Sequence, residues 1–264
     1  MPPRHFNFMI PQVKTFMDSI DKCAEVIATA GKVIALTGAG ISVESGIPPF
    51  RGKGSLWEKF DPMEFAHIDS FLKDPERVWR GFLADMKDML DKARPNEGHK
   101  GLVALEQLGR LSTIITQNID GLHQLAGSSD VIEFHGNFAW QRCLICGTRV
   151  PSSQIDLSVL PPRCPCGGIY RPDCVFFGEM IPEQSLARSQ KLASSCDVML
   201  VVGTSAVVQP AAMIPVIARN SRAVIIEINP ESTPLTRSIS HYFLQGSAGL
   251  VLNELSEAVG KIIQ

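Results

Sequence analysis

The chain has 264 residues, of which 45% are hydrophobic and 20% are charged, and its formal net charge is −2. This composition is typical of a folded globular protein and excludes a mainly disordered chain. The small net charge gives no electrostatic field that would attract nucleic acid or an acidic membrane, so we expect neither as a direct partner.

Short apolar runs and helical patterns alternate along most of the chain. The apolar runs predict strands over residues 33–36, 113–116, 131–134, 198–202, 223–228 and 242–244. The helical patterns predict helices over residues 16–30, 100–108, 183–193, 211–218 and 248–263. This order of strands and helices favours an α/β fold with a doubly wound parallel sheet.

Two segments interrupt the alternation of strand and helix. Residues 55–96 have helical spacing without a strand, and residues 140–174 are rich in proline and contain four closely spaced cysteines. We predict that these two insertions together form a smaller domain. We predict an N-terminal tail over residues 1–20. The large domain then consists of residues 21–54, 97–139 and 175–264.

Two cysteine pairs in the second insertion predict a structural zinc site. Two residues separate Cys143 from Cys146, 17 residues follow, and one residue separates Cys164 from Cys166. Four thiolates complete the tetrahedral coordination of zinc and leave no position open for catalysis. Because the second pair is shorter than usual, Cys174 stays open as an alternative to Cys166.

The seven cysteines also bear on the compartment. Paired thiols that bind metal are typical of a reducing environment, and the N-terminus lacks the pattern of a signal peptide. We therefore predict a cytoplasmic location.

A glycine-rich turn follows the first predicted strand. Gly38, Ala39 and Gly40 precede Ser42, so several backbone N–H groups are free to meet a phosphate or pyrophosphate at this point. The spacing differs from the G-x-G-x-x-G fingerprint of ordinary dinucleotide sites. Phe50 follows in the same loop, with Arg51 after it, and a plain phosphate site needs neither residue.

Polar residues follow the second and third predicted strands. Gln117, Asn118 and Asp120 come after residues 113–116, and His135 comes after residues 131–134. Asparagine or aspartate alone could cap a helix, whereas the three polar residues together favour recognition of an amide and a ribose. His135 follows an apolar strand and precedes a glycine that permits close approach, so we predict a place at the functional site for it rather than in the core.

These motifs resemble the sirtuin family of NAD-dependent protein deacylases. Besides the cysteine pairs, the matching stretches are residues 38–42, 46–51, 116–123, 134–136, 171–179, 203–205, 207–210 and 228–229. They occur in the family's order and extend over about residues 20–260. The resemblance implies a Rossmann-like domain, a small lobe made of a zinc ribbon and a helical insertion, and a cleft for NAD and an acyl-lysine peptide.

The resemblance also implies roles for individual residues. The NAD phosphates and ribose rings would meet Gly38, Ala39, Gly40, Ser42, Gln117, Gly203, Thr204, Ser205 and Asn229. The nicotinamide and adenine ends would meet Phe50, Arg51, Asn118, Asp120, Ser247 and Ala248. The acyl-lysine protein or peptide would meet Val175, Phe176, Phe177, Gly178, Glu179, Val207, Val208 and Gln209.

The implied activity is NAD-dependent removal of acyl groups from protein lysines, with His135 as base and Asn118 and Asp120 at the nicotinamide. Its products are nicotinamide, 2′-O-acyl-ADP-ribose and free lysine. Sirtuins that prefer succinyl- or malonyl-lysine resemble one another in a Tyr-x-x-Arg pair where this chain has Phe82 and Asp85. The Asp85 carboxylate would repel an acidic acyl group, so we expect acetyl or another uncharged acyl group. Alternatives that use the same NAD site are a mono-ADP-ribosyltransferase and an NAD glycohydrolase, and a non-catalytic binding module is a third possibility.

Overall fold

Strands and helices alternate in the computed structural model, which describes residues 16–50 and 54–264. The strands are β1 Val33–Thr37, β2 Leu111–Thr116, β3 Val131–Glu133, β4 Gly136–Cys143, β5 Arg149–Pro151, β6 Tyr170–Cys174, β7 Val198–Val202, β8 Val224–Asn229 and β9 Tyr242–Gln245. The α-helices are α1 Phe16–Thr29, α2 Pro62–Phe65, α3 Ile68–Lys73, α4 Pro75–Val78, α5 Ala84–Lys92, α6 Glu97–Gln107, α7 Leu122–Ala126, α8 Glu183–Ala193, α9 Met213–Asn220 and α10 Ala248–Ile263.

A six-stranded parallel sheet has the spatial order β3-β2-β1-β7-β8-β9. All six strands expected from the apolar runs form this sheet, so the doubly wound parallel fold is confirmed. The strand order reverses beside β1, whose two neighbours are β2 and β7. Ligands of such sheets bind at the carboxyl ends of the strands beside this reversal.

Helices cover both faces of the sheet, and strand β1 shows the consequence in its sequence. Val33 and Ala35 are buried in one core cluster with residues of α1, α6 and α10. Ile34 and Leu36 are buried in the opposite cluster with residues of α8 and α9. A strand that is covered on both faces needs a continuous apolar run, and this run made the strand predictable.

A second, three-stranded antiparallel sheet has the order β5-β4-β6 and contains Cys143 at the end of β4. It packs against the helical insertion, where the Trp79 indole N–H donates to the Tyr170 carbonyl over 2.9 Å. Phe71 and Phe82 of the insertion share a buried cluster with Phe138 of β4. The expected boundary between residues 139 and 140 lies inside β4, and the division into domains stays a prediction.

The N-terminal tail was expected over residues 1–20. Helix α1 begins at Phe16, inside this range, and residues 1–15 lie outside the described part of the chain. Among the helices of residues 16–50 and 54–264, none has the length and apolar character needed to cross a membrane.

Candidate active site

A cavity of about 1500 Å³ lies at the carboxyl ends of β1, β2, β7 and β8. Its lining includes every described residue that we predicted to meet NAD or the peptide. These are Gly38, Ala39, Gly40, Ser42, Phe50, Gln117, Asn118, Asp120, His135, Val175, Phe176, Phe177, Gly178, Glu179, Gly203, Thr204, Ser205, Val207, Val208, Gln209, Asn229, Ser247 and Ala248. Arg51 lies outside the described residues. The structure thus brings the set together, and the individual roles stay predictions.

Two glycine turns form one wall of the cavity by direct backbone contact. The Gly40 N–H donates to the Gly203 carbonyl over 2.8 Å. A Cβ atom added to Gly40 would lie 2.6 Å from the Gly203 Cα atom, and Gly203 has a φ of +59°. Neither position accepts a side chain, because the first lacks space and the second has a left-handed backbone. The resulting concave surface of bare backbone fits a pyrophosphate.

Ser42 connects this turn to the polar loop after β2. Its hydroxyl donates to Asp120 Oδ2 over 2.7 Å and accepts from the Asn118 amide over 3.1 Å. The Asn118 amide also donates to the Gly38 carbonyl over 3.2 Å. Burial raises the pKa of the Asp120 carboxyl, against hydrogen bonds from Leu122, Ser42 and other groups that lower it. The amide and the carboxyl are thereby fixed side by side at the cavity.

A buried hydrogen-bond chain that sequence analysis missed supports this loop. His123 Nε2 lies 2.9 Å from Thr37 Oγ1, which donates to Thr116 Oγ1 over 2.9 Å. Thr116 Oγ1 in turn accepts from the Asn118 backbone N–H over 3.1 Å. Burial lowers the pKa of His123 to about 3, so the ring is neutral at physiological pH. The only signal in the sequence was a threonine at the end of each strand: Thr37 directly after residues 33–36 and Thr116 as the last of residues 113–116.

The His135 ring is oriented by a hydrogen bond to the backbone of Gln117. Its Nδ1 atom lies 2.8 Å from the Gln117 carbonyl oxygen. A carbonyl oxygen can only accept a hydrogen bond, so Nδ1 carries the proton and Nε2 keeps its lone pair. Burial lowers the pKa of His135, although the bond to Gln117 raises it. The ring is therefore neutral near pH 7, in the tautomer that a general base requires.

The predicted acyl-lysine segment, residues 175–179, lies between His135 and the helical insertion. The Val175 N–H donates to the His135 carbonyl over 2.8 Å. The Phe177 N–H donates to the Ala66 carbonyl over 2.8 Å, and the Phe177 carbonyl accepts from the Ile68 N–H over 3.0 Å. Backbone contacts thus tie this segment to the candidate base on one side and to the small domain on the other.

An apolar wall from the helical insertion also lines the cavity, and sequence analysis assigned only its Phe82 to the site. It consists of Leu56, Trp57, Phe65, Phe82, Leu83, Met86, Met89 and Leu90. The Phe50 ring centroid lies 5.4 Å from that of Trp57 and 6.2 Å from that of Phe177. Phe50, in the loop that follows the glycine-rich turn, therefore packs against both the apolar wall and the acyl-lysine segment.

The wall corrects part of the argument about acyl choice. Phe82 is buried and lines the cavity as expected, but Asp85 is exposed and does not line it. Direct repulsion of an acidic acyl group by Asp85 was therefore the wrong reason. No lysine or arginine of the described residues lines the cavity, so an acidic acyl group would meet no cation from this part of the chain.

The four predicted metal ligands form one cluster. The Sγ atoms of Cys143, Cys146, Cys164 and Cys166 all lie within 4.8 Å of one another. The Sγ atoms of Cys143 and Cys166 are 3.5 Å apart, and those of Cys146 and Cys164 are 3.7 Å apart. Tetrahedral zinc with Zn–S bonds of about 2.3 Å needs sulfur atoms about 3.8 Å apart, so the cluster fits zinc. Cys166 belongs to the cluster and Cys174 does not, in agreement with the preference for Cys166, and the role of the four cysteines as ligands stays a prediction.

Comparisons with known proteins agree with this site. The family model described as Sir2 family matches residues 38–210. NAD-dependent protein deacylase 1 of Archaeoglobus fulgidus is 44% identical over 244 residues, which are 92% of this chain and 99% of that protein. A Sir2 homologue–NAD complex is 44% identical with a TM-score of 0.86 and covers 92% of this chain and 95% of its own.

A second solved structure, Sir2 with a p53 peptide and NAD+, is 34% identical with a TM-score of 0.82. It covers 91% of this chain and 98% of its own. Agreement over nearly the full length of each chain, in sequence and in fold, confirms the resemblance that the motifs indicated. The chain belongs to the Sir2 family.

Proposed function

We propose that this chain removes acetyl or other uncharged acyl groups from protein lysines in an NAD-dependent reaction. The products are nicotinamide, 2′-O-acyl-ADP-ribose and free lysine. The observation that carries the proposal is the hydrogen bond from His135 Nδ1 to the Gln117 carbonyl. It leaves Nε2 as a proton acceptor in a cavity that the glycine turns and the acyl-lysine segment both line.

Each group of residues at this site has a separate proposed role in binding NAD or in transferring a proton. NAD would supply an electrophilic ribose carbon, at which the acyl oxygen of the substrate lysine would replace nicotinamide. The turns after β1 and β7 would hold the pyrophosphate against their bare backbone, while the N–H groups of Gly38, Gly40 and Gly203 themselves donate to carbonyls within the protein. Asn118 and Asp120 orient the carboxamide of nicotinamide, and Gln117 contacts its ribose. His135 Nε2 accepts the proton of a ribose hydroxyl, and the ring of Phe50 excludes water from the ribose carbon.

The acylated protein is proposed to bind as an extended segment. Residues 178–179 and 207–209 line the same cavity and offer backbone groups for pairing with an added strand. The p53 peptide in the related Sir2 complex supports a peptide as the ligand. Zinc would be held by Cys143, Cys146, Cys164 and Cys166 and would support the small domain, and the cytoplasm stays the predicted location.

A mono-ADP-ribosyltransferase or NAD glycohydrolase is less well supported. Cleavage of the bond to nicotinamide alone does not require a neutral base beside the ribose hydroxyls. The tautomer of His135 and its contact with the acyl-lysine segment, through the Val175 N–H, favour deacylation.

Product analysis tests the proposal and the acyl preference together. With NAD and an acetyl-lysine peptide, mass spectrometry should detect one O-acetyl-ADP-ribose for each deacetylated peptide. The matched succinyl-lysine peptide should show about 100-fold lower kcat/KM, because its carboxylate would be buried against an apolar wall without a cation.

Two outcomes would contradict these expectations separately. Free ADP-ribose without peptide deacetylation would indicate a glycohydrolase. Equal turnover of succinyl and acetyl peptides would overturn the acyl preference and leave deacylation intact. The same peptide with an unmodified lysine is the control for background NAD cleavage.

The pH dependence of deacetylation follows from the state of His135. Burial lowers the pKa of His135 below the ordinary histidine value of 6.5. Since the neutral ring is the active form, kcat/KM should stay high near pH 7. It should fall only as the pH drops through a value below 6.5. Initial rates between about pH 5 and pH 8 would show this acid limb, and a limb centred above pH 6.5 would contradict the assignment.

A further inference from the structure

A charged pair connects strand β6 to the last residue of the acyl-lysine segment and is not part of the catalytic set. Arg171, in β6, is 8% exposed. Its guanidinium donates to both carboxylate oxygens of Glu179, from Nη1 over 2.6 Å and from Nη2 over 2.7 Å. This bidentate geometry is the strongest and most directional form of an arginine–carboxylate contact.

Both partners also contact the backbone of the segment between them. Arg171 Nη2 donates to the Cys174 carbonyl over 2.7 Å, and the guanidinium carbon lies 4.4 Å from the centre of the Phe176 ring. Glu179 Oε2 accepts from the Phe176 N–H over 2.8 Å. The pair therefore fixes the start, the middle and the end of residues 174–179 at once.

Glu179 keeps its charge in this partly buried position. Burial alone would favour the neutral acid, but hydrogen bonds from Arg171 and Phe176 hold the pKa of Glu179 below its ordinary value. Its carboxylate is occupied inside the protein, so the side chain positions the segment and leaves the backbone of residues 178–179 to meet the peptide.

We propose that Arg171 and Glu179 are positioning residues that set the backbone of residues 174–179, and thereby the affinity for the acyl-lysine peptide. This inference rests on the proposed deacylase function. The turns after β1 and β7 form the proposed pyrophosphate site, here called the NAD cradle. Among the described residues, Arg171 and Glu179 make no hydrogen bond or ion pair to these turns. Disruption of the pair should therefore act on the peptide and spare NAD binding.

The test is Glu179→Gln, which keeps the size of the side chain and an acceptor for the Phe176 N–H. One carboxylate oxygen becomes an amide that cannot accept from Arg171. We expect the KM for an acetyl-lysine peptide to rise about 10-fold or more. The Kd of NAD, measured by calorimetry without peptide, should change by less than about twofold. Arg171→Lys keeps the charge without the bidentate fork and should give an intermediate rise in KM.

Asp130→Asn is the matched control. It disrupts another arginine–carboxylate ion pair, in which the single nitrogen Arg188 Nη2 contacts both Asp130 oxygens over 2.7 and 2.6 Å, outside the cavity. Its peptide KM should equal that of the wild type.

An unchanged peptide KM in folded Glu179→Gln would overturn the proposal, as would an equal rise in the Kd of NAD. If this variant does not fold, an unchanged peptide KM in Arg171→Lys decides against it. Failure of the proposed function would differ from all these outcomes, because the wild type itself would not deacetylate the peptide.

Discussion

His135→Ala is expected to reduce kcat/KM for deacetylation by about 100- to 10,000-fold, the usual contribution of a positioned general base. The alanine removes Nε2, the atom that the Gln117 contact leaves ready to accept a proton. The Kd of NAD should change little, because the glycine turns and the Asn118–Asp120 loop keep their own hydrogen bonds. Steady-state kinetics and calorimetry with NAD would measure the two effects.

His241→Ala is the control for this variant. His241 is an exposed histidine that contacts Arg219 and the Ile225 N–H and does not line the cavity. It should keep the wild-type rate. Wild-type turnover by a folded His135→Ala protein would remove His135 from its catalytic role.

Loss of zinc is expected to have the largest effect on the small domain. Structural zinc in zinc-finger peptides contributes an apparent 10–16 kcal/mol, roughly, to folding. Cys164→Ser should therefore abolish the metal and lower the melting temperature of the protein. Deacetylation should fall about 100-fold or more, because β4 ends at Cys143 and begins at Gly136, the residue directly after His135. Metal analysis, thermal unfolding and kinetics would follow the three effects.

Cys196→Ala provides the comparison for the zinc variant. Cys196 is a buried cysteine, 4% exposed, outside the metal cluster. It should retain one zinc per chain despite some loss of packing energy. A folded wild-type protein that contains no zinc after purification without added metal would contradict the assignment.

The large sheet could be predicted because the burial of its strands is visible in short runs of consecutive residues. Its central strands β1 and β7 are buried along their whole length, and this produces continuous apolar runs such as Val198–Val202. The small sheet left no comparable signal. Strand β4 contains Gln141 and Arg142, and β6 contains Arg171 and Asp173, so polar pairs such as Arg142 with Asp173 contribute to it. Those pairs became visible only once the strands were placed side by side.

The candidate site divides in the same way. The glycine turns and His135 carried their chemistry in short motifs, whereas the Thr37–His123 contact and the Arg171–Glu179 pair depend on tertiary neighbours. The error about Asp85 has a local cause. Residues Trp79–Leu83 form a π-helical turn, whose wider winding rotates the following residues relative to an α-helix. Asp85 is therefore turned to solvent while Phe82 lines the cavity.

The contact between Gly40 and Gly203 has a consequence for the order of folding. These turns follow β1 and β7, and the helical insertion and the zinc module lie between the two strands in the chain. The cradle exists only after β7 has paired beside β1, which is a contact of high sequence separation and is formed slowly. A nascent chain that ends before β7 would have no complete NAD site. NAD would then bind and stabilise only those chains in which β1 and β7 have already paired.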